Sequence, residues 1–479
     1  MIMNMKKQHS SSNHYWISLV VFILVLFSSK ATQAQAYLET FGQNRVQLRT
    51  FDWRFFNTHH FKIYHYDAAG RQLARYVAEQ AEKDIKIIEK KLGGRFPERF
   101  NIVLYNSFED YRQTNIGRKQ SSAVQDNPSG RVDLVGDKLV VYFTGVHTDV
   151  HRQLRAGMAR VVMERMVFGE SLKEMVKNAV ALDLPAWVTT GYIAYLVDGW
   201  DTESETQWKN YLQANPNKSY YQLSESNPEL AGKAFWKFIA ANYGEHNVKN
   251  LLYTMQMKTK LNKALEQTIG MKTQQTFDSI LHFYQQVCAA DAQVLQQPDS
   301  SQAILEIKVP NDRTILRNIQ VSPRGHDVAY VTWLDGEYQV YIQHTTGEQT
   351  KIPIISGGIK DYNEPPDPNY PIMAWNNTGY KLAIIYKRNG KTRLRIYDGL
   401  KSKIQEMVIP PNRFDRVLGA TFMEDDLRLV FSAIKKSQTD LYEFRLKGAK
   451  LTKITNDVWD DIQPTYVSGG ARKGIVFLS

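Results

Sequence analysis

The sequence predicts a multidomain chain, an α+β domain with a helical C-terminal half followed by an all-β array of repeats that is incomplete within the chain. Three observations predict this. From Tyr37 to about Gly145, strand-like alternation is mixed with one long helical stripe, and from Thr148 to about Leu295 the apolar period is helical throughout. Beyond residue 304 the period switches to two. There a unit recurs at spacings of 44 to 53 residues, three times in full and once in part. The chain has 479 residues, which leaves room for two or three domains. Its 43% hydrophobic and 23% charged residues are ordinary for a folded soluble protein.

Residues 1–36 read as a signal peptide. Lys6 and Lys7 precede the apolar run Trp16–Phe27, which has the length of a signal-peptide core and is short for a membrane span. Small residues around Ala34 and Ala36 offer cleavage sites, an uncleaved anchor being the alternative, and no cysteine there could carry a lipid anchor. No second membrane span is expected. Residues 1–35 hold three lysines and no acids, so the formal charge falls from +11 to +8 after cleavage. No run of five or six basic residues occurs, which argues against a nucleic-acid partner. The single cysteine, Cys288, excludes an intramolecular disulfide and reads as a small apolar residue on a helix.

Residues 37–147 form the α/β half of the first domain. His60–Tyr66 alternates as a strand, and Leu73, Val77, Ala81 and Ile85 mark a helix over Arg71–Leu92 that stops at Gly93-Gly94. Arg99–Tyr105 is a second strand. Ser107 is placed to cap a short helix, with Asp110 three residues on. Lys138–Phe143 is a further strand, expected at the sheet edge. Residues 148–295 form the helical half, with helices expected near Tyr211–Tyr221, Ala231–Tyr243, Asn247–Met255 and Gln274–Leu295. Ala231–Tyr243 reads as a core helix closed by Gly244.

Residues 296–304 are polar and read as a linker, and residues 305–479 hold the repeats. A strand opening recurs at Val321-Ser322-Pro323-Arg324-Gly325, at Ala374-Trp375-Asn376-Asn377-Thr378-Gly379, at Thr421–Asp426 and at Thr465–Gly470. Apolar strands follow at Val328–Thr332, Leu382–Tyr386, Leu429–Ser432 and Ile475–Ser479. Second strands follow in the first three units at Tyr338–Ile342, Arg393–Tyr397 and Leu441–Phe444. The units resemble the WD40-like blades of TolB-type β-propellers, which implies an interaction platform. A propeller closes with about four to eight blades. Further chain beyond Ser479, or a second chain, is therefore expected to complete the ring.

Chemistry is to be sought between Leu154 and Leu196. Val150, Leu154, Met158, Val162 and Met166 recur every four residues on one helix, and Pro185 opens a second beside Trp187. This layout resembles the core of gluzincin-type metallopeptidases, whose first helix carries H-E-x-x-H and whose second carries W-x-x-E-G. The matching flanks are Leu154-Arg155, Val161-Val162, Phe168-Gly169, Pro185, Trp187, Gly191 and Tyr195. The resemblance puts the two histidine ligands on Ala156 and Arg160, the general base on Gly157 and the third ligand on Thr190. Alanine and glycine carry no ligand atom, Arg160 brings a positive charge, and Thr190 is a poor neutral ligand. No catalytic residue and no cofactor is therefore expected. Arg160, Trp187, Tyr195 and Tyr142 are the candidates to line a surviving ligand cleft.

His147 and His151 stand four apart, but Thr148 occupies the position of the base, so they are a decoy and no metal is expected on them. The resemblances imply an exported, non-catalytic protein of the periplasm or cell surface of a Gram-negative bacterium, binding a peptide or protein partner. Two rivals are a hydrolase, with its catalytic domain past residue 479 or with an unforeseen metal site, and a structural subunit of an envelope assembly.

Overall fold

The computed structural model describes Gln47 and residues 50–479, apart from residues 98, 112, 115–132, 136–137, 169–183, 259, 295–304, 312, 359–366, 368–369, 389–390, 410–413 and 470–472. The expected signal segment 1–36 and the expected linker 296–304 lie outside the described residues. Leu48–Ser479 forms one compact unit. Among the described residues no helix is long and apolar enough to cross a membrane.

The first domain is built on five strands, β1 (Trp53–Asn57), β2 (Phe61–Tyr66), β3 (Phe100–Tyr105), β4 (Asp133–Val135) and β5 (Lys138–Tyr142), in the order β1-β2-β3-β5-β4. The central strands β2, β3 and β5 are parallel, and β1 and β4 run antiparallel at the two edges. β2 and β3 share one alternation, with Phe61, Ile63, Phe100, Ile102 and Leu104 turned into the core. Helix α1 (Asp67–Leu92) crosses between them and buries Leu73, Val77, Ala81 and Ile85, the stripe legible in the sequence. It ends as expected at Gly93, whose φ of 85° lets its N–H reach Glu89 O. After β3, the single turn α2 (Phe108–Tyr111) is capped by Ser107 Oγ, which accepts from Asp110 N at 3.2 Å.

One expectation is corrected. The strand at 138–142 is not an edge strand, because both its neighbours are occupied: β3 on one side and β4 on the other. An extended peptide cannot add to it. β1 and β4 are too short and too polar or irregular to stand out by alternation.

Helix α3 (His147–Phe168) follows β5, and Val150, Leu154, Met158 and Val162 are fully buried. Helices α4 (Ala186–Asp198), α5 (Thr202–Ala214), α6 (Tyr220–Ser226), α7 (Pro228–Tyr243), α8 (Glu245–Lys258), α9 (Leu261–Ile269) and α10 (Thr273–Val294) complete the helical half. The stretch expected near Tyr211–Tyr221 is instead two helices, broken at residues 215–219, and α9 has no sequence signal beyond its short amphipathic pattern. α7 is the central helix. Eight of its residues, from Ala231 to Ile239, are buried, Pro228 opens it and Gly244 closes it at a φ of 90°. It crosses α4 at two glycines. A Cβ on Gly191 would stand 2.2 Å from the backbone of Gly232, and one on Gly232 would stand 2.2 Å from Trp187 O. Trp236 then reaches over the crossing, and its Nε1–H donates to Val188 O at 2.8 Å.

Beyond the linker lie three antiparallel four-stranded sheets: β6 (Ile315–Val321) to β9 (Lys351–Gly358), β10 (Ile372–Trp375) to β13 (Lys403–Val408), and β14 (Arg416–Phe422) to β17 (Lys450–Lys453). β18 (Ile462–Val467) pairs with β19 (Gly474–Leu478). Each sheet has blade topology, with neighbours in chain order. The apolar runs are the second strands, β7 (Asp327–Leu334), β11 (Lys381–Arg388) and β15 (Arg428–Lys435), buried on both faces along nearly their whole length. The sequence repeat is a repeated turn. Gly325 N, Gly379 N and Asp426 N donate to Ser322 O, Asn376 O and Met423 O, and all three donors have a φ between 55° and 73°. First and fourth strands of each blade were not legible, because they are partly exposed and less apolar.

The third blade docks on the α/β domain. Arg416, only 2% exposed, pairs with Asp367 and with Glu109 of α2 at 2.5 Å each. Thr439 Oγ1 donates to Gly145 O at 2.6 Å, while Leu418 and Ile434 pack into the first domain's core. Asp460 accepts from His147 N at 2.7 Å, capping the first turn of α3 from outside its own domain.

Candidate functional site

Two places could carry function: the helix trio α3, α4 and α7, where the sequence put chemistry, and the seam between the sheet's carboxyl edge and the third blade. In the first, α3 packs on α4 and α4 on α7. Gly157 is buried and Ala156, Arg160 and Thr190 are half-buried. None of the four offers a metal-ligand atom of the kind zinc takes. Around them lies a network of internal charges. Arg152 Nε pairs with Asp198 at 2.6 Å, and buried Lys233 donates to Ser204 Oγ at 2.6 Å with Asp198 and Asp201 each 4.0 Å away. Burial pushes the Glu164 carboxyl up, and Arg160 one turn before it opposes that. Burial likewise pushes Glu229 up, aided by Asp198 and opposed by Lys233, Arg160 and Arg152. The charge of Arg160 thus acts on two carboxyls of its own chain.

Two cleft candidates are corrected. Trp187 is 1% exposed and sits among Tyr220, Phe235 and Phe277, so it is a core residue with no open face. Tyr142 is 6% exposed and stacks on Tyr111 beside Phe108, inside an aromatic cluster. Aromatic rings at these positions are the largest apolar surfaces available, and the core takes them. Tyr195 is half-buried, and its hydroxyl donates to Glu245 at 3.3 Å to each oxygen. Burial and that carboxylate together push it up to about 12.

His147 and His151 serve different carboxylates. The His147 ring lies 2.9 Å from Asp460, and His151 Nε2 lies 2.6 Å from Asp84 of α1. Arg155 closes on the same Asp84 with Nε and Nη2, at 3.1 and 2.9 Å. Burial alone would raise Asp84, but the hydrogen bonds from His151 and Arg155 outweigh it and hold the carboxyl below its ordinary value. Among the described residues no three of His, Cys, Asp and Glu gather as metal ligands would.

The second place is a cavity of about 720 Å³ at the seam. β2 ends into Asp67 and β3 ends into Asn106, so the cavity lies outside the carboxyl ends of parallel strands, where open α/β sheets bind ligands. α1 lines it with Asp67, Arg71 and Arg75, and the third blade supplies Asp415, just before β14, and Lys436, just after β15. Sequence reasoning missed all of these residues. The one available signal was positional: Asp67 and Asn106 directly follow the strands β2 and β3 at one edge of the sheet.

No family model matches the chain, and no curated protein matches it. Solved structures similar to part of the chain are TolB-like β-propeller proteins and propeller peptidases. TolB from Acinetobacter baumannii is 13% identical, covering 34% of this chain and 37% of that one with a TM-score of 0.28. The β-propeller domain of the Trilobed protease from Pyrococcus furiosus is 11% identical over 35% of this chain and 55% of that one, with a TM-score of 0.25. Porphyromonas gingivalis dipeptidyl peptidase 4 is 15% identical over 34% of this chain and 29% of that one, with a TM-score of 0.24. The chain spans about a quarter to a half of the length of these proteins.

Proposed function

We propose that this is an exported protein of the bacterial cell envelope that binds a peptide or protein partner without catalysis, its first domain being a gluzincin-type peptidase fold that has given up hydrolysis. One observation carries the reading. The helix frame keeps its tightest contact, the Gly191–Gly232 crossing, while the ligand positions beside it are Ala156, Gly157, Arg160 and Thr190. Burial pushes the carboxyls of Glu164 and Glu229 up, with the charge of Arg160 opposing it at both, so this corner reads as part of the packed interior. The surface left for a partner is the seam, which both domains build.

The test is elemental analysis of the purified protein together with incubation against a mixed peptide pool. The expected result is no stoichiometric metal and no cleavage. Stoichiometric zinc that disappears in His151→Ala, or cleavage of the pool, would overturn the reading.

A further inference from the structure

We infer that the free edge of β1 pairs with the same edge of a second copy of this chain, joining the two sheets across a two-fold axis at Trp53. β1 is the outermost strand of its sheet, and among the described residues no strand lies beyond it. Its bonded side can be told from its free side. Thr58 N donates to Phe61 O at 2.8 Å, and on the far side of β2 Phe100 N donates to His60 O at 2.8 Å. Hydrogen-bonded pairs alternate along an antiparallel ladder. In the register of β1 on β2, Arg54 and Phe56 therefore turn their N–H and C=O groups toward β2, while Trp53 and Phe55 turn theirs outward. β1 holds no proline and its register has no bulge, two of the devices that blunt an edge.

The side chains select the occupant. Phe51, Trp53 and Phe55 share one face. The Trp53 ring lies 5.9 Å from Phe51 and 5.0 Å from Tyr66, and Phe55 lies 5.7 Å from Tyr64. Trp53 is 37% and Phe55 53% exposed, so apolar surface remains open along the edge. On the other face Arg54 Nη2 reaches Asp52 Oδ2 at 2.9 Å, and both side chains are largely exposed.

Two identical strands that pair antiparallel are related by a two-fold, so the residue on the axis fixes every pair. With Trp53 on the axis, Asp52 stands opposite the second copy's Arg54, and Arg54 opposite the second copy's Asp52. The charges then alternate in sign both along each strand and across the join. Phe51 stands opposite the second copy's Phe55, and the outward main chain of Trp53 meets its own symmetry mate as a hydrogen-bonded pair. An axis at Asp52 or Arg54 sets like charges opposite each other, which destabilises. An axis at Phe55 puts Thr58 opposite Asp52 and Phe56 opposite Arg54, with no charge pair at all. A foreign strand would have to match this order of signs and rings, whereas a second copy carries it by construction.

The experiment is sedimentation velocity on the purified protein from about 1 μM to about 1 mM. A monomer–dimer equilibrium is expected within that range. Arg54→Asp and Asp52→Arg each set like charges opposite each other and are expected to weaken self-association about tenfold or more. An equimolar mixture of the two variants restores opposite signs at both positions and is expected to associate about as tightly as the native protein. That recovery also separates a lost contact from a lost fold, which circular dichroism of each variant checks directly. Native protein that stays monomeric throughout overturns the inference. So does a dimer that neither variant weakens, or a mixture that fails to associate, because another surface then holds the copies or none does.

Discussion

Asp84 joins two helices through one carboxylate. It is 2% exposed, and both His151 and Arg155 of α3 hold it against α1. Asp84→Asn leaves that pair facing a neutral amide and is expected to cost on the order of 2–3 kcal/mol, below the full penalty for a buried pair because Arg155 and His151 are partly exposed. The sign of its pH dependence follows from the depressed carboxyl. A group ionised more easily in the folded state stabilises above its unfolded value, near 3.9, and that stability is lost as pH falls through the lower folded value. Native protein is therefore expected to lose stability below about pH 4 more steeply than Asp84→Asn, as urea titrations across pH 3 to 6 would record. Lys436 and Ser437 have positive φ, at 55° and 59°, in the two-residue turn between β15 and β16 (Gln438–Arg445). Such turns favour asparagine and glycine, so Lys436→Asn is expected to stabilise by about 0.5 kcal/mol, read as a higher denaturation midpoint.

The crossing of α4 and α7 is decided by two missing side chains. Gly191 costs α4 roughly 1 kcal/mol of helix propensity relative to alanine. The close approach offsets that cost, letting Trp187, Phe235 and Trp236 pack in one layer. Gly191→Ala puts a methyl 2.2 Å from the Gly232 backbone, and no side chain can move aside because the obstacle is main chain. A loss of about 3 kcal/mol is expected, visible as a fall in thermal midpoint, with Thr190→Ala as the neighbouring control that leaves the midpoint nearly unchanged. In a W-x-x-E-G setting the glycine reads as part of a metal motif. Here its physical task is helix packing, which survives whether or not a ligand precedes it.

The two domains are held by charge as well as by apolar contact. Arg416 is buried between Glu109 and Asp367 and lies over the rings of Tyr370 and Phe108, at 4.7 and 5.4 Å. Arg416→Met fills the space but leaves the two carboxylates facing each other, and is expected to cost about 3–5 kcal/mol. Because one partner lies in each domain, calorimetry is expected to resolve one unfolding transition into two. A single unchanged transition would show that Leu418, Ile434 and the Asp460–His147 contact suffice to couple them.

The periodicity of the chain was enough to find α1, α3, α7 and the double-sided strands of the blades, since each buries a stripe or run whose spacing is written in consecutive residues. The recurring turn was legible for the same reason. Edge strands, the fourth strand of each blade and the split between α5 and α6 were not, because weakly buried segments carry little apolar signal. That Ala156 and Gly157 carry no ligand atoms was readable in the sequence, since it holds in any fold. What they face was decided only by tertiary structure. Trp187 and Tyr142 went to the core, and Arg71, Asn106 and Lys436 met at one cavity across more than 360 residues of sequence. Local pattern determines which side of an element is buried, whereas which elements share a seam depends on how domains dock, and that leaves no period in the sequence.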